Sequence, residues 1–363
     1  MRSRRDPHHR EAPERGEDPI EALLAQAAEA FESGRANVAL ALADEALKAD
    51  GDCAQAMHMR AAALLQLDRA EEAHEAYDLA LELDPEDPEI LLGYADLMIC
   101  RPGEDRERLE DGLDAAGRGR KLSKKLKDDE LQYEFAILQG IALNQLGECD
   151  RAIKALDDAL TLRSGSVEAK LERAIALFEL CRFKDAKAAF DEVLTTAPDE
   201  PWAHHYLGLL AERRKDLKDA SKRFSRAREL APEEFPAPST LDEKDFDAAV
   251  EDAVKRVPEH VKKYLENVVI SVEEIPSDED LLSEKPPLSP AILGVFRGTP
   301  VGERSVQSAW DHAPASIILY QRNLERFAKS RDELIEQIGI TLLHEVGHLV
   351  GLDEEDLWER GLD

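Results

Sequence analysis

The small and apolar residues of the first two thirds of the chain recur with a period of 34 residues. The period is clearest in residues 54–87, 167–200 and 201–234. Each of these segments has a small residue at its eighth position, alanine at its twentieth, an aromatic residue at its twenty-fourth and proline at its thirty-second. This spacing predicts two antiparallel helices per segment, which approach closely at the small residues and end at the proline.

Two further segments follow the same pattern more loosely, and one departs from it. Residues 20–53 and 133–166 keep small residues at most of the positions. Residues 88–132 form a degenerate repeat with an insertion of about 11 residues, which includes the basic run GRGRKLSKKLK at 117–127. That run could be a docking patch for an acidic partner or the solvated face of a long second helix. The pattern resembles the tetratricopeptide repeat, which implies an all-α superhelix over 20–234 whose concave face binds a protein or peptide.

The periodicity ends after residue 234, and a different pattern follows. Residues 235–241 are rich in proline and polar residues, which predicts a linker. Beyond two short helical patterns, three β-branched segments at 268–275, 291–298 and 315–321 predict strands. We expect the third strand to lie at a sheet edge that could pair with an extended substrate. Residues 242–363 therefore predict a small, separate α+β domain.

Charge and composition narrow the range of partners. The formal net charge of −31 opposes binding to a phosphate backbone and favours basic partners. The chain has no apolar run near the roughly 18 residues that cross a membrane, and residues 1–19 predict a disordered basic tail without the apolar core of a secretory signal. The four scattered cysteines predict thiols in a reducing compartment. We therefore expect a cytoplasmic protein that binds neither nucleic acid nor membrane.

The sequence HEVGH near the end of the chain is the main candidate for chemistry. Ser330 and Glu333 form a capping-box pattern that predicts the start of an amphipathic helix. On such a helix His344 and His348 share one face and can present two imidazoles to one metal ion. Zinc lowers the pKa of a coordinated water to about 7, and Glu345 is placed to accept its proton as a general base.

A third zinc ligand is expected directly after this helix, because catalytic zinc sites use three protein ligands and one open position. Gly351 can end the helix in a left-handed turn. Glu354 follows His348 by six residues, and a carboxylate is an acceptable zinc ligand beside two imidazoles. Asp353 and Glu355 are the near alternatives.

The segments HEVGHLVGLDE, ILGVFRGTP and ASIILYQRNLE together resemble the minimal-zincin family of small bacterial metallopeptidases. The resemblance implies a zincin-like core with zinc as cofactor, His344 and His348 as metal ligands, Glu345 as general base and Glu354 as third ligand. His312 and Tyr320 are further candidates, which could polarise a carbonyl in the transition state.

These features favour a zinc metallopeptidase in which the repeats recruit a protein or peptide substrate and the HEVGH site hydrolyses a peptide bond. The alternative is a scaffold or adaptor protein whose zincin-like domain binds metal without proteolysis. The glutamate within the motif favours the peptidase, because a purely structural metal site has no need of a general base.

Overall fold

The computed structural model describes residues 18–101, 105–301, 315–353 and 356–357. The described chain forms two compact units, which divide between Gly165 and Ser166. The described helices of the first unit are α1 (Pro19–Glu32), α2 (Ala36–Ala49), α3 (Ala54–Gln66), α4 (Ala70–Leu83), α5 (Pro88–Cys100), α6 (Arg106–Leu126), α7 (Asp129–Gln145) and α8 (Cys149–Leu162).

Close helix contacts in the first unit occur at the small residues of the repeat pattern. Ala61 and Ala73, at the eighth and twentieth positions of their repeat, are fully buried. A Cβ atom added to Gly140, at an eighth position, would lie 2.4 Å from Cδ2 of Leu156. These positions must therefore stay small for each helix pair to pack.

The degenerate repeat consists of α5 and α6. Its additional residues lengthen α6 to 21 residues, whereas α5 has 13. Lys121, Lys124 and Lys125 on α6 are exposed. This arrangement agrees with the interpretation of the basic run as the solvated face of a long second helix.

The second unit begins with the last two repeats and continues into a domain that contains a sheet. Its described elements are α9 (Val167–Glu179), α10 (Phe183–Thr196), α11 (Pro201–Arg213), α12 (Leu217–Leu230), α13 (Glu243–Arg256), α14 (Glu259–Leu265), β1 (Val268–Glu273), α15 (Asp278–Leu281), β2 (Gly294–Arg297), β3 (Ala315–Tyr320), α16 (Gln321–Phe327) and α17 (Arg331–Val350). In the last repeat a Cβ atom on Gly208 would lie 2.7 Å from the Phe224 ring, the same close approach as in the first unit. Among the helices of both units that the structure describes, none has the length and apolarity needed to cross a bilayer.

The three strands form one sheet in the order β1-β3-β2. β1 runs parallel to β3, with Ile270 opposite Ile317, and β2 runs antiparallel to β3, with Phe296 opposite Ile317. The expectation that 315–320 is an edge strand is therefore wrong, because β3 has a hydrogen-bonded partner on both sides. Within the described residues, β2 is an edge strand.

α13 and α17 cover the face of the sheet that bears Ile317. Phe246 of α13 and Leu342 of α17 pack with Ile317 and Leu319 in one apolar core. α17 starts at the predicted cap, where the Ser330 hydroxyl accepts a hydrogen bond from the Glu333 amide at 3.2 Å. This packing fixes α17, and with it the HEVGH sequence, against the sheet.

The segment predicted as a linker packs on α16. Phe235 and Leu241 are buried, and the Ser239 amide donates to the carbonyl oxygen of Glu325 at 3.2 Å. The Leu241 amide also donates to Oε1 of Glu325 at 3.4 Å. A division of the chain into domains at 235–241 stays a prediction.

A buried group of charges joins the last repeat to the sheet domain. The Glu212 side chain on α11 is only 6% exposed and accepts from Nη1 of Arg322 at 2.6 Å. Its second oxygen accepts from Arg326, also on α16. Nearby, Arg213 pairs with Asp278, whose side chain is 72% exposed. The two neighbouring ion pairs of α11 thus differ sharply in burial.

Glu212→Ala should lower the free energy of unfolding of the second unit by about 3 kcal/mol, because it leaves two partly buried arginine charges without their shared carboxylate. The matched control Asp278→Ala removes an exposed partner and should cost at most about 1 kcal/mol. Chemical denaturation of the two variants tests this difference. Equal losses would show that Glu212 does not join the repeat to the sheet domain as described.

Candidate metal centre

α17 brings the two histidines of HEVGH together on one face. Nε2 of His344 and Nε2 of His348 are 3.1 Å apart, and the rings are nearly perpendicular, with an interplanar angle of 81°. Two imidazole nitrogens bound to one tetrahedral zinc at the usual bond length are about 3.3 Å apart. The separation therefore suits two ligands of a single ion.

The orientation of His348 is set by the turn that follows the helix. Gly351 has a φ of +94°, which is left-handed and favours glycine. After this turn the carbonyl oxygen of Leu352 lies 3.2 Å from Nδ1 of His348. Because a carbonyl only accepts, this contact is a hydrogen bond in the tautomer that carries the proton on Nδ1, which is also the tautomer whose Nε2 keeps the lone pair that a metal requires.

Glu345 lies in a narrow, buried space beneath the edge strand β2. Its exposure is only 5%. A Cβ atom on Gly294 would lie 3.1 Å from Oε1 of Glu345 and 2.8 Å from Cγ2 of Thr341. Glycine at 294 therefore lets β2 pass close to the carboxylate. Our sequence analysis did not identify Gly294, although a glycine within a predicted strand is a known sign of close backbone approach.

The outer edge of β2 offers backbone hydrogen-bonding groups beside Glu345. The Tyr320 amide of β3 donates to the carbonyl oxygen of Leu293 at 2.8 Å. In an antiparallel pair, only every second residue forms backbone hydrogen bonds with the partner strand. Because Leu293 bonds to β3, the backbone groups of Gly294 and Phe296 point away from β3. No residue in the described ranges forms a hydrogen bond with them there. An extended peptide could pair with this edge.

The chain turns back onto α17 after Gly351. Leu357 is buried, and a Cβ atom on Gly347 would lie 2.3 Å from its Cδ2. Between them, Oδ1 of Asp353 accepts a hydrogen bond from the Asp356 amide at 2.9 Å. Gly347 thus provides the surface on which Leu357 packs, next to His348.

The described residues include only part of the predicted metal site. Glu354 and Glu355 lie outside the described residues, as does His312. Within the described residues, no three His, Cys, Asp or Glu side chains are grouped so that they could hold a metal ion. Asp353 is therefore not grouped with the two histidines, and its carboxylate instead caps the turn at 356.

Tyr320 does not face the two histidines. Its neighbour Leu319 packs against α17, and side chains alternate along a strand, so Tyr320 points to the opposite face of the sheet. There it is buried, and burial, with the Asp280 carboxylate second, raises its pKa. Asp280 itself accepts from the Ser277 hydroxyl at 2.7 Å and pairs with Arg297. The interpretation of Tyr320 as a group that polarises a substrate carbonyl is wrong.

Residues 265–362 match the zincin-like metallopeptidase family. Residues 54–97, 137–201 and 171–235 match tetratricopeptide repeat families. Comparison with curated proteins finds no match.

Among solved structures, the chain is similar to PilW, a widely conserved type IV pilus biogenesis factor, with 18% identity and a TM-score of 0.51 over 60% of this chain and 96% of that one. It is also similar to pilF of Pseudomonas aeruginosa, with 18% identity and a TM-score of 0.49 over 63% of this chain and 97% of that one. At this identity the likeness to PilW shows the fold of the repeats alone. The chain thus combines tetratricopeptide repeats in its N-terminal part with a zincin-like metallopeptidase domain at 265–362.

Proposed function

We propose that this chain is a zinc-dependent peptidase that hydrolyses a peptide bond in a substrate recruited by its repeats. The observation that supports this most strongly is the arrangement around Glu345. A buried carboxylate lies next to a pair of imidazoles 3.1 Å apart and beneath a strand edge whose outward backbone groups form no hydrogen bond with the described residues. A site that only binds metal has no need of such a carboxylate or of such an edge.

We propose that His344 and His348 hold the zinc ion and that Glu354 is the third ligand. The lone pair on Nε2 of His348 and the spacing of the two rings fit this role. Asp353 is engaged as a cap, which leaves Glu354 or its neighbour Glu355 to complete the site. When bound, zinc would supply a Lewis acid that polarises a carbonyl and lowers the pKa of water, so that the water loses a proton readily at neutral pH.

The protein groups supply the remaining chemistry. Glu345 follows His344 directly and is rotated from it by about 100° around the helix, so its carboxylate would lie beside a bound zinc ion and would not be one of its ligands. It accepts the proton of the attacking water and returns a proton to the departing amine nitrogen. The outer edge of β2 orients the substrate backbone, and the buried setting of Glu345 limits competing water.

The role of the returning segment can be tested at Gly347. Gly347→Val should displace Leu357 from α17 and weaken zinc binding at least about tenfold, because the third ligand is proposed to lie in that segment. The matched control is Gly339→Val on the same helix, where an added Cβ would meet nothing within 4 Å. Competition with a chelator measures both affinities. Equal zinc affinity in the two variants would place the third ligand elsewhere.

The repeats bring the substrate to the site. Tetratricopeptide repeats bind proteins or peptides on an extended surface, and tethering raises the effective substrate concentration at a small catalytic domain. The net charge of −31 favours basic partners. We propose that the protein acts in the cytoplasm, where its four scattered cysteines would be kept as thiols.

Capture of partners with full-length Glu345→Gln protein tests the proposal. This variant should retain substrates that the wild type releases as products. Captured proteins are then incubated with the zinc-loaded wild type at neutral pH. Cleavage of at least one captured protein, absent with Glu345→Gln, supports the peptidase. Captured proteins that all remain intact would favour a scaffold whose zincin-like domain holds metal without proteolysis.

A further inference from the structure

A cavity of about 300 Å³ lies between α11 and the end of the sheet where β2 begins. Its walls include Trp202 on α11, Phe235 after α12, Leu293 before β2 and Phe327 at the end of α16. Trp202 is 39% exposed and Phe327 is 55% exposed. This volume is at the lower end of the range for ligand pockets and suits one or two side chains of a partner.

The charged groups around the cavity are neutralised within the protein. Arg326 pairs with Glu212, and Arg213 pairs with Asp278. Burial, with the charge of Arg326 second, lowers the pKa of the His205 side chain in the wall to about 4, so that this imidazole is neutral at physiological pH.

One exposed acidic residue lines the cavity. Glu234 lines the cavity and is exposed, and no residue of the described chain forms an ion pair with it. The cavity therefore offers apolar walls with one exposed negative charge, which favours a neutral or basic partner.

The cavity and the contact with Glu345 involve consecutive residues at the start of β2. Leu293 lines the cavity, and the next residue, Gly294, is the one whose added Cβ would lie 3.1 Å from Oε1 of Glu345. A strand advances about 3.4 Å per residue. A peptide paired with the outer edge of β2 therefore passes from Glu345 to the cavity within about three residues.

We propose that this cavity binds a bulky apolar side chain of an extended, neutral or basic peptide that pairs with the outer edge of β2. The proposal rests on the peptidase function proposed above. β2 starts at the cavity and leads away from it, and antiparallel pairing is the more stable arrangement. The C-terminal end of the peptide therefore points towards the cavity. The side chain bound in the cavity then lies C-terminal to the peptide bond that is placed beside Glu345.

Because α11 forms one wall of the cavity, the last repeat contributes directly to the choice of peptide. Trp202 belongs to α11 of the last repeat, whereas Leu293 and Phe327 belong to the sheet domain. The buried Glu212 holds α11 to α16 and so fixes the two sides of the cavity relative to each other. Selection of the apolar side chain thus needs both parts of the second unit.

Selection from a random library of twelve-residue peptides tests the proposal. The full-length, zinc-loaded Glu345→Gln protein is immobilised, and retained peptides are sequenced. They should be enriched in Phe, Leu, Met or Trp. Ala291 is exposed and lines the cavity, so Ala291→Phe fills it and should lower recovery of these peptides at least about tenfold. The matched control, Ala188→Phe at an exposed alanine of α10, should leave recovery unchanged.

The outcomes separate this proposal from the peptidase function. No retained peptide, no apolar enrichment, or equal recovery with Ala291→Phe would overturn the cavity proposal. Retained peptides are then given to the zinc-loaded wild type, and a cut within about three residues on the N-terminal side of the apolar residue supports it. Peptides that bind through the cavity but stay intact would overturn the peptidase alone. Cleavage that is insensitive to Ala291→Phe would overturn the cavity and leave the peptidase standing.

Discussion

Glu345→Gln should lower peptide hydrolysis by about 10²–10⁴-fold while zinc content and thermal stability stay at wild-type values. Glutamine has nearly the shape of glutamate, so the narrow space between α17 and Gly294 remains filled. Its amide cannot accept a proton from water at neutral pH. The rate constant for cleavage of a captured peptide, measured with equal amounts of zinc-loaded protein, gives the size of the effect.

A matched control exists on the same helix. Glu336 is exposed, and Glu336→Gln makes the same chemical change away from the histidines. Its activity should stay within a factor of about two of the wild type, since surface substitutions usually have small effects. Equal activity of Glu345→Gln and Glu336→Gln would remove Glu345 from the mechanism.

His344→Ala or His348→Ala should reduce bound zinc from about one ion per chain to nearly none, because two protein ligands do not make a zinc site. Glu354→Ala should weaken zinc binding, and Asp353→Ala and Glu355→Ala should matter less. Metal analysis of purified protein after dialysis measures the stoichiometry. His74→Ala, at a half-exposed histidine of α4, is the control for loss of an imidazole elsewhere.

The alanine variants of Asp353, Glu354 and Glu355 identify the third zinc ligand. If Glu354→Ala binds zinc as tightly as the wild type while Glu355→Ala loses it, the third ligand is Glu355. If both retain zinc and Asp353→Ala loses it, the capping role of Asp353 gives way when zinc binds. Either result would leave the histidine pair in place and correct the assignment of the third ligand.

The repeats and the helix that carries HEVGH could be predicted because local spacing determines them. The recurrence of small residues such as Gly208 every 34 residues reports directly on helix contacts. The Ser330 cap and the Gly351 turn depend on residues within one helical turn of each end. The histidine pair is equally local, since a helix places residues four apart on one face.

The sheet order was harder to predict because strand pairing joins distant parts of the chain. The sequence ASIILY of β3 is apolar at five of its six positions, and five of its residues are buried. Such a nearly continuous apolar run is typical of a strand covered on both faces. This pattern would have favoured a central position for β3 and an edge position for β2, whose residues are all at least partly exposed.

The environment of the site depends on tertiary contacts that no motif encodes. Gly294 and Glu345 are 51 residues apart, and only the packing of α17 on the sheet brings them together. Likewise, Glu212 forms an ion pair with Arg322, which is 110 residues away along the chain. Sequence spacing predicts the candidate reactive groups, whereas the cavity, the strand edge and the buried ion pairs follow from the fold.

Incorporation of oxygen-18 from labelled water tests the central claim most directly. Peptides retained by the Glu345→Gln protein are incubated in labelled water with zinc-loaded wild type, and the products are analysed by mass spectrometry. Hydrolysis places one labelled oxygen in each newly formed carboxyl group. Chelation of zinc should abolish the labelled products, and Glu345→Gln should lower them by about 10²–10⁴-fold. Peptides that remain intact and unlabelled with the zinc-loaded wild type would contradict the account of this chain as a peptidase.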